Sequence, residues 1–75
     1  MSDFTMKIDL MGLRCPIPVQ RIRAALRDME KGHRLIVIGD DPESQHDIPK
    51  LLERLGLDPP LITEEESTWI YQIQK

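Results

Sequence analysis

One stretch of the chain combines a nucleophile with backbone chemistry that can activate it: Gly12-Leu13-Arg14-Cys15-Pro16-Ile17-Pro18-Val19. It holds the only cysteine and two of the six prolines. The first N–H groups of a helix have no intrahelical acceptor, so proline there gives up no hydrogen bond and brings a φ already suited to the helix. With Pro16 as the first helical residue, Cys15 becomes the N-cap, and its own N–H and that of Ile17 are the free donors beside the sulfur. Those donors, the positive end of the helix and the neighbouring Arg14 favour a thiolate, and predict a pKa below the free value of about 8.5. A lone cysteine without context reads as a small inert hydrophobe. Cys15 instead lies in a Gly/Pro-rich turn, which marks it as an exposed, activated thiol.

The other polar candidates are weaker. Asp9, six residues before the cysteine, is placed to orient the turn or simply to end a strand. Asp40, Asp41 and Asp47 read as turn and cap residues rather than catalytic acids, with Asp41 and Asp47 also candidates for partner contact. His33 and His46 are too few and too far apart in sequence for a metal site, so neither a metal nor a cofactor is expected. Three aromatic residues in the whole chain are too few for a nucleic-acid stacking platform, and Trp69 and Tyr71 read as packing.

The elements that must position the cysteine follow from periodicity. Met6, Ile8 and Leu10 alternate with Lys7, Asp9 and Met11, the pattern of a strand with one buried face. Gly12 breaks it and opens the cysteine turn. From Pro16 onward Val19, Ile22, Leu26 and Met29 recur at helical spacing, with Arg21, Arg23 and Arg27 largely on the outer side, and Gly32 predicts an end near Glu30 or Lys31. Leu35-Ile36-Val37-Ile38 reads as a strand covered on at least one face, closed by Gly39-Asp40-Asp41-Pro42. Ile48, Leu51, Leu52 and Leu55 form the stripe of a second helix ending at Gly56. Its start is open: Asp41 capping a turn from Pro42, or Asp47 capping a body with Pro49 in its first turn. After Pro59-Pro60, Leu61–Thr63 reads as a short strand, Glu64–Ser67 as a polar turn, and Thr68–Gln74 as a last strand with Trp69, Tyr71 and Ile73 on one face. The order β-α-β-α-β-β, in so short a chain, predicts a two-layer α/β sandwich: a four-stranded mixed sheet with both helices on one face, parallel crossovers and a final hairpin.

Seventy-five residues make one small domain, 1–75, with a thin core. At 40% hydrophobic and 31% charged residues the composition is that of a folded globular protein. A single cysteine excludes an intramolecular disulfide, and there is no C-x-x-C pair. The N-terminus, Met1 to Met6, lacks a basic segment and an apolar segment, and no window approaches a membrane span, so cytoplasm is the default compartment and no membrane contact is expected. The net charge of −3 hides an asymmetry. Leu10–Gly39 carries six cations against two anions, whereas Asp40–Lys75 carries nine anions against three cations. One reading is solvated helix surface; the sharper one is that Arg21, Arg23 and Arg27 flank Cys15 and dock on an acidic partner. Net acidity argues against direct DNA or RNA binding.

Asp9-Leu10-Met11-Gly12-Leu13-Arg14-Cys15-Pro16-Ile17-Pro18 resembles the Cys-Pro-x-Pro motif of the TusA/SirA-like sulfur-carrier family, as do Asp40-Asp41-Pro42 and Asp47-Ile48-Pro49. The resemblance runs from about Met6 to Lys75, and the glycine three residues before the cysteine together with the two later motifs makes it specific. It implies that Cys15 carries sulfane sulfur as a persulfide, loaded by a cysteine desulfurase or rhodanese and passed to an acceptor sulfur-relay protein. Gly12, Arg14, Pro16, Pro18 and Asp9 are implied to position it. In the best-known branch of the family the sulfur ends in the 2-thiouridine of a tRNA; other branches serve sulfur oxidation or cofactor synthesis. The implied activity is that of a sulfurtransferase-type carrier rather than a stand-alone enzyme. The chain departs from common members at His46, at Leu51 and Leu52, where some carry a second cysteine, and at Gln74. The rival readings are an RNA-binding or a redox-regulatory module of the same fold.

Overall fold

Alternation at the N-terminal end produces β1, Thr5–Asp9, in which Met6 and Ile8 turn inward, and the buried Leu10 follows directly. In the computed structural model, which describes residues 4–75, the first three residues of the N-terminal segment lie outside the described residues. The continuous apolar run forms β2, Arg34–Gly39, and pairs with β1 in parallel, Met6 opposite Leu35 and Ile8 opposite Val37. This register matters for function. Parallel strands end side by side, so the segment leaving β1 at Asp9 and the segment leaving β2 at Gly39 emerge at the same edge of the sheet.

Between them runs α1, Ile17–Asp28, which buries Pro18, Ile22 and Leu26. The helix starts one residue later than the sequence predicts. Pro16 is the N-cap, its carbonyl accepting the first helical bond from the Gln20 N–H at 3.1 Å, and Pro18 falls in the first turn, where its missing N–H costs nothing. It also stops earlier than expected. Met29 turns extended and buries its side chain, and the positive-φ Gly32 serves the following turn, closed by His33 N–H to the Glu30 carbonyl at 3.1 Å. The Lys75 ammonium donates to the carbonyls of Leu26 and Met29, placing a cation at the negative end of α1.

The second helix, α2, spans Ser44–Arg54 and buries Ser44, Ile48, Leu51 and Leu52. The start falls between the two expected ones: Glu43 is the N-cap, with no side-chain cap, and Asp41 holds the turn ahead of it. Asp41 accepts from the Glu43 N–H at 3.1 Å, Ser44 N–H returns to the Asp41 carbonyl, and Pro49 lies inside the helix. Strand β3, Leu61–Glu65, pairs antiparallel with β4, Thr68–Gln74, and β4 inserts antiparallel against β2, giving the order β1-β2-β4-β3. Pairing extends to Glu65 opposite Thr68, so the turn shrinks from the expected four residues to Glu66-Ser67.

Both helices cover one face of this mixed four-stranded sheet, as the sequence predicts. Leu35, Val37, Trp69, Tyr71 and Ile73 of that face form one cluster with Ile22, Leu26, Ile48, Leu51 and Leu52. Ile36, Ile38 and Ile70 point to the uncovered face and are half-buried. The Trp69 indole N–H and the Tyr71 hydroxyl are buried without a hydrogen-bond partner among the described residues.

Candidate functional site

The side-by-side ends of β1 and β2 build the site. The cysteine turn is short of intrinsic structure, and carboxylates from the β2–α2 segment hold it. Asp40 accepts from the Gly12 N–H at 2.9 Å and pairs with the Arg14 guanidinium at 2.8 Å. These two donors, the backbone N–H foremost, hold the Asp40 carboxyl below its ordinary value. Gly12 has φ +82°, a conformation costly for a side chain with Cβ, which is why this position takes glycine. Asp9 accepts from the Met11 N–H at 2.9 Å, so it shapes the exit from β1 rather than touching the cysteine.

Asp41 lies deeper. It is 4% exposed, and its carboxylate takes the Cys15 N–H at 2.8 Å as well as the Glu43 N–H and the Ser44 hydroxyl. A residue expected to meet partners is thus turned inward, where it ties the cysteine turn to the start of α2. Charge-assisted bonds of this kind are about twice as strong as neutral ones. Asp47, in the first turn of α2, reaches the sulfur itself: Cys15 Sγ donates to Asp47 Oδ2 at 2.9 Å. Asp47 therefore does not cap α2; it faces Cys15.

This geometry reverses the electrostatic expectation at Cys15. The residue is exposed, as its turn implies, and its peptide bond to Pro16 is cis. But it is not the helix N-cap. Its N–H is consumed by Asp41, the Ile17 N–H by the Arg14 carbonyl at 2.9 Å, and the Arg14 charge by Asp40. The donors expected to stabilise a thiolate all have other acceptors. The thiol pKa is pushed up to about 11, first by its hydrogen bond to Asp47, then by desolvation and by the negative charges of Asp47, Asp41 and Glu43.

Beside the sulfur, Cys15 and Pro16 open into a groove of about 240 Å³ between the helices. Val19 and Arg23 line it from α1, and Asp47, Lys50, Leu51 and Arg54 from α2. Of the three arginines expected to flank the cysteine, Arg23 does so. Arg27 lines an adjoining depression with Arg23, Leu55 and Lys75, and Arg21 lines neither. Lys50 and Arg54 went unrecognised in the sequence because the second half of the chain is acidic overall. Helical spacing was the available signal, since residues 47, 50, 51 and 54 share one face of α2.

The groove is open, and the exposed thiol is part of its lining rather than enclosed in a chamber. Such a site leaves the thiol exposed and does not enclose a small molecule. The fold and site thus define a small α/β domain built to display one thiol. Residues 6–75 match the family described as Sulfurtransferase TusA, and the chain belongs to that family. It is also similar to the solved structure of the SirA-like protein from Desulfitobacterium hafniense, at 30% identity over 91% of this chain and 93% of that one, with a TM-score of 0.81. Family membership supports sulfur transfer as the general activity and sulfur-relay proteins as the general class of partner. Among the described residues no helix is long and apolar enough to cross a membrane.

Proposed function

We propose that the protein is a sulfur carrier that accepts sulfane sulfur on Cys15 as a persulfide and relays it to an acceptor protein. The single observation that carries this reading is the exposed Cys15 thiol, fixed by Asp41 and Asp47 at the mouth of an open groove. A cysteine desulfurase or rhodanese is the donor, and a cytoplasmic relay leading to tRNA 2-thiouridine, as in the best-known branch of the family, is one pathway that such a carrier serves. Arg23, with Lys50 and Arg54, supplies the charge that orients an acidic donor surface along the groove, while Arg21 and Arg27 extend the field along α1. Complementary charge of this kind raises encounter rate and sets docking orientation more than it adds affinity.

The test is loading by a panel of desulfurases and rhodaneses, with intact-mass detection of one added sulfur atom. Wild-type protein gains it. Cys15→Ser gains none and retains the wild-type unfolding curve, because Cys15 is exposed and its side chain packs no core. Sulfur passed to an acceptor by the Cys15→Ser protein would sink the proposal.

A further inference from the structure

Sulfur loading needs a nucleophilic sulfur, and the environment of Cys15 opposes forming one in advance. Asp41, Glu43 and Asp47 all place negative charge near it. Arg23, Lys50 and Arg54 line the same groove, yet the thiol keeps its proton to about pH 11. At pH 7 the thiolate is then roughly one part in ten thousand, each pH unit below the pKa lowering it about tenfold. A mechanism that waits for prior ionisation forfeits that factor. General-base removal of a proton in flight recovers roughly a hundred- to ten-thousand-fold, which is the same size.

From the 2.9 Å contact between Cys15 Sγ and Asp47 Oδ2, we infer that Asp47 is the general base of the loading step, taking the thiol proton as the new sulfur–sulfur bond forms. This rests on Cys15 being the sulfur-accepting thiol. In the step, Cys15 Sγ bonds to the terminal sulfur of a donor persulfide, R–S–SH, and the donor S–S bond breaks with its electron pair staying on the R–S sulfur. The Cys15 proton moves to Asp47 and from there to the departing thiolate. Cys15–SH and R–S–SH thus become Cys15–S–SH and R–SH, and no external oxidant or reductant is consumed. The same carboxylate has two effects on the sulfur. It suppresses the free thiolate, protecting a solvent-facing cysteine from unspecific oxidation and alkylation, and it assists only a reaction in which the proton leaves as the bond forms.

The discriminating variant is Asp47→Asn, which keeps size and helix position and removes the base. With glutathione persulfide as donor, so that protein docking plays no part, the variant should load at least tenfold more slowly at about pH 7. The ratio of variant to wild-type rate cancels the donor's own ionisation. That ratio should climb between about pH 6.5 and 9, because only the variant depends on preformed thiolate. Alkylation by iodoacetamide should change the other way, the variant reacting several-fold faster at about pH 9, since a negative neighbour is gone. Asp47→Glu, which restores a carboxylate, should flatten the pH ratio again.

Loading by Asp47→Asn as fast as wild type at neutral pH, or a rate ratio independent of pH, overturns the inference. In the first case Asp47 only suppresses the thiolate, and in the second it only shapes the turn. The parent reading is tested separately: wild-type protein that takes no sulfur from any donor removes the carrier function, whatever Asp47 does.

Discussion

Cys15 donates to Asp47 while Asp41 and Glu43 add negative potential, and together with desolvation these hold its proton to about pH 11. The sign is that of an acid whose anion is disfavoured. The thiol persists through the neutral range, and the thiolate appears only as pH rises toward 11. The expected outcome is that iodoacetamide alkylation of the free protein is slow at neutral pH and half-maximal near pH 11, read from rates across an alkaline series. A midpoint below 9 would mean that the carboxylates do not control the sulfur. Asp41 acts differently. Buried and tied to the Cys15 N–H, it fixes the backbone under the sulfur and starts α2 in the same contact. Truncating it to alanine would leave those donors without their charged acceptor, at a cost of about 1–3 kcal/mol in chemical denaturation.

At the level of elements, the β3–β4 hairpin carries local strain. Glu66 and Ser67 have φ of 46° and 65°, a pair of positive values that two-residue hairpin turns require and that Asn-Gly satisfies best. Neither residue touches the cysteine site, so the turn can be improved without disturbing function. Glu66→Asn with Ser67→Gly should stabilise the domain by about 1 kcal/mol, seen as a raised unfolding midpoint, with sulfur loading unchanged. An unaltered midpoint would show that neighbouring contacts already relieve the strain. The two helices make the opposite demand on their ends. The cysteine turn lies just before α1 and Asp47 in the first turn of α2, so the thiol and its carboxylate partner come from two helix N-terminal regions.

For the whole molecule, charge is arranged by the fold rather than by chain segment. Asp41, Glu43 and Asp47 place negative charge near Cys15, and Arg23, Lys50 and Arg54 line the same groove as Asp47, so acids from the β2–α2 segment and cations from both helices converge near the sulfur. A donor that docks along the groove meets cations from both helices. Lys50→Glu or Arg54→Glu should therefore slow loading by a protein donor several-fold, as strongly as Arg23→Glu, while Arg21→Glu has the smaller effect. Raising salt from low values to 0.1 M, where screening sets in beyond about 10 Å, should slow the wild type and narrow the differences. Equal rates for all four variants with no salt dependence would reduce the basic rim to solvated surface.

The elements were legible because their signals are local. The i, i+3, i+4 stripe of Ile22, Leu26 and Met29, the alternation through Met6, Ile8 and Leu10, and the Trp69-Tyr71-Ile73 face each record burial in the order of residues. The motif around Cys15 likewise made its exposure legible. Helix ends were less legible. The first residue of α1 accompanies a long-range bond, Cys15 N–H to Asp41, and its early exit accompanies the burial of Met29 in the core. The protonation of the sulfur was not in the sequence at all. Reading Cys15 with its neighbours supplied Arg14 and two free N–H groups, all favouring the anion. Parallel pairing of β1 with β2 then brought residues 26 to 32 positions away to the same edge, where Asp40 and Asp41 take the Arg14 and Cys15 donors and Asp47 faces the thiol. Electrostatic fields act through space, so the chain alone marked out the exposed thiol, and only the tertiary structure decided which charges surround it.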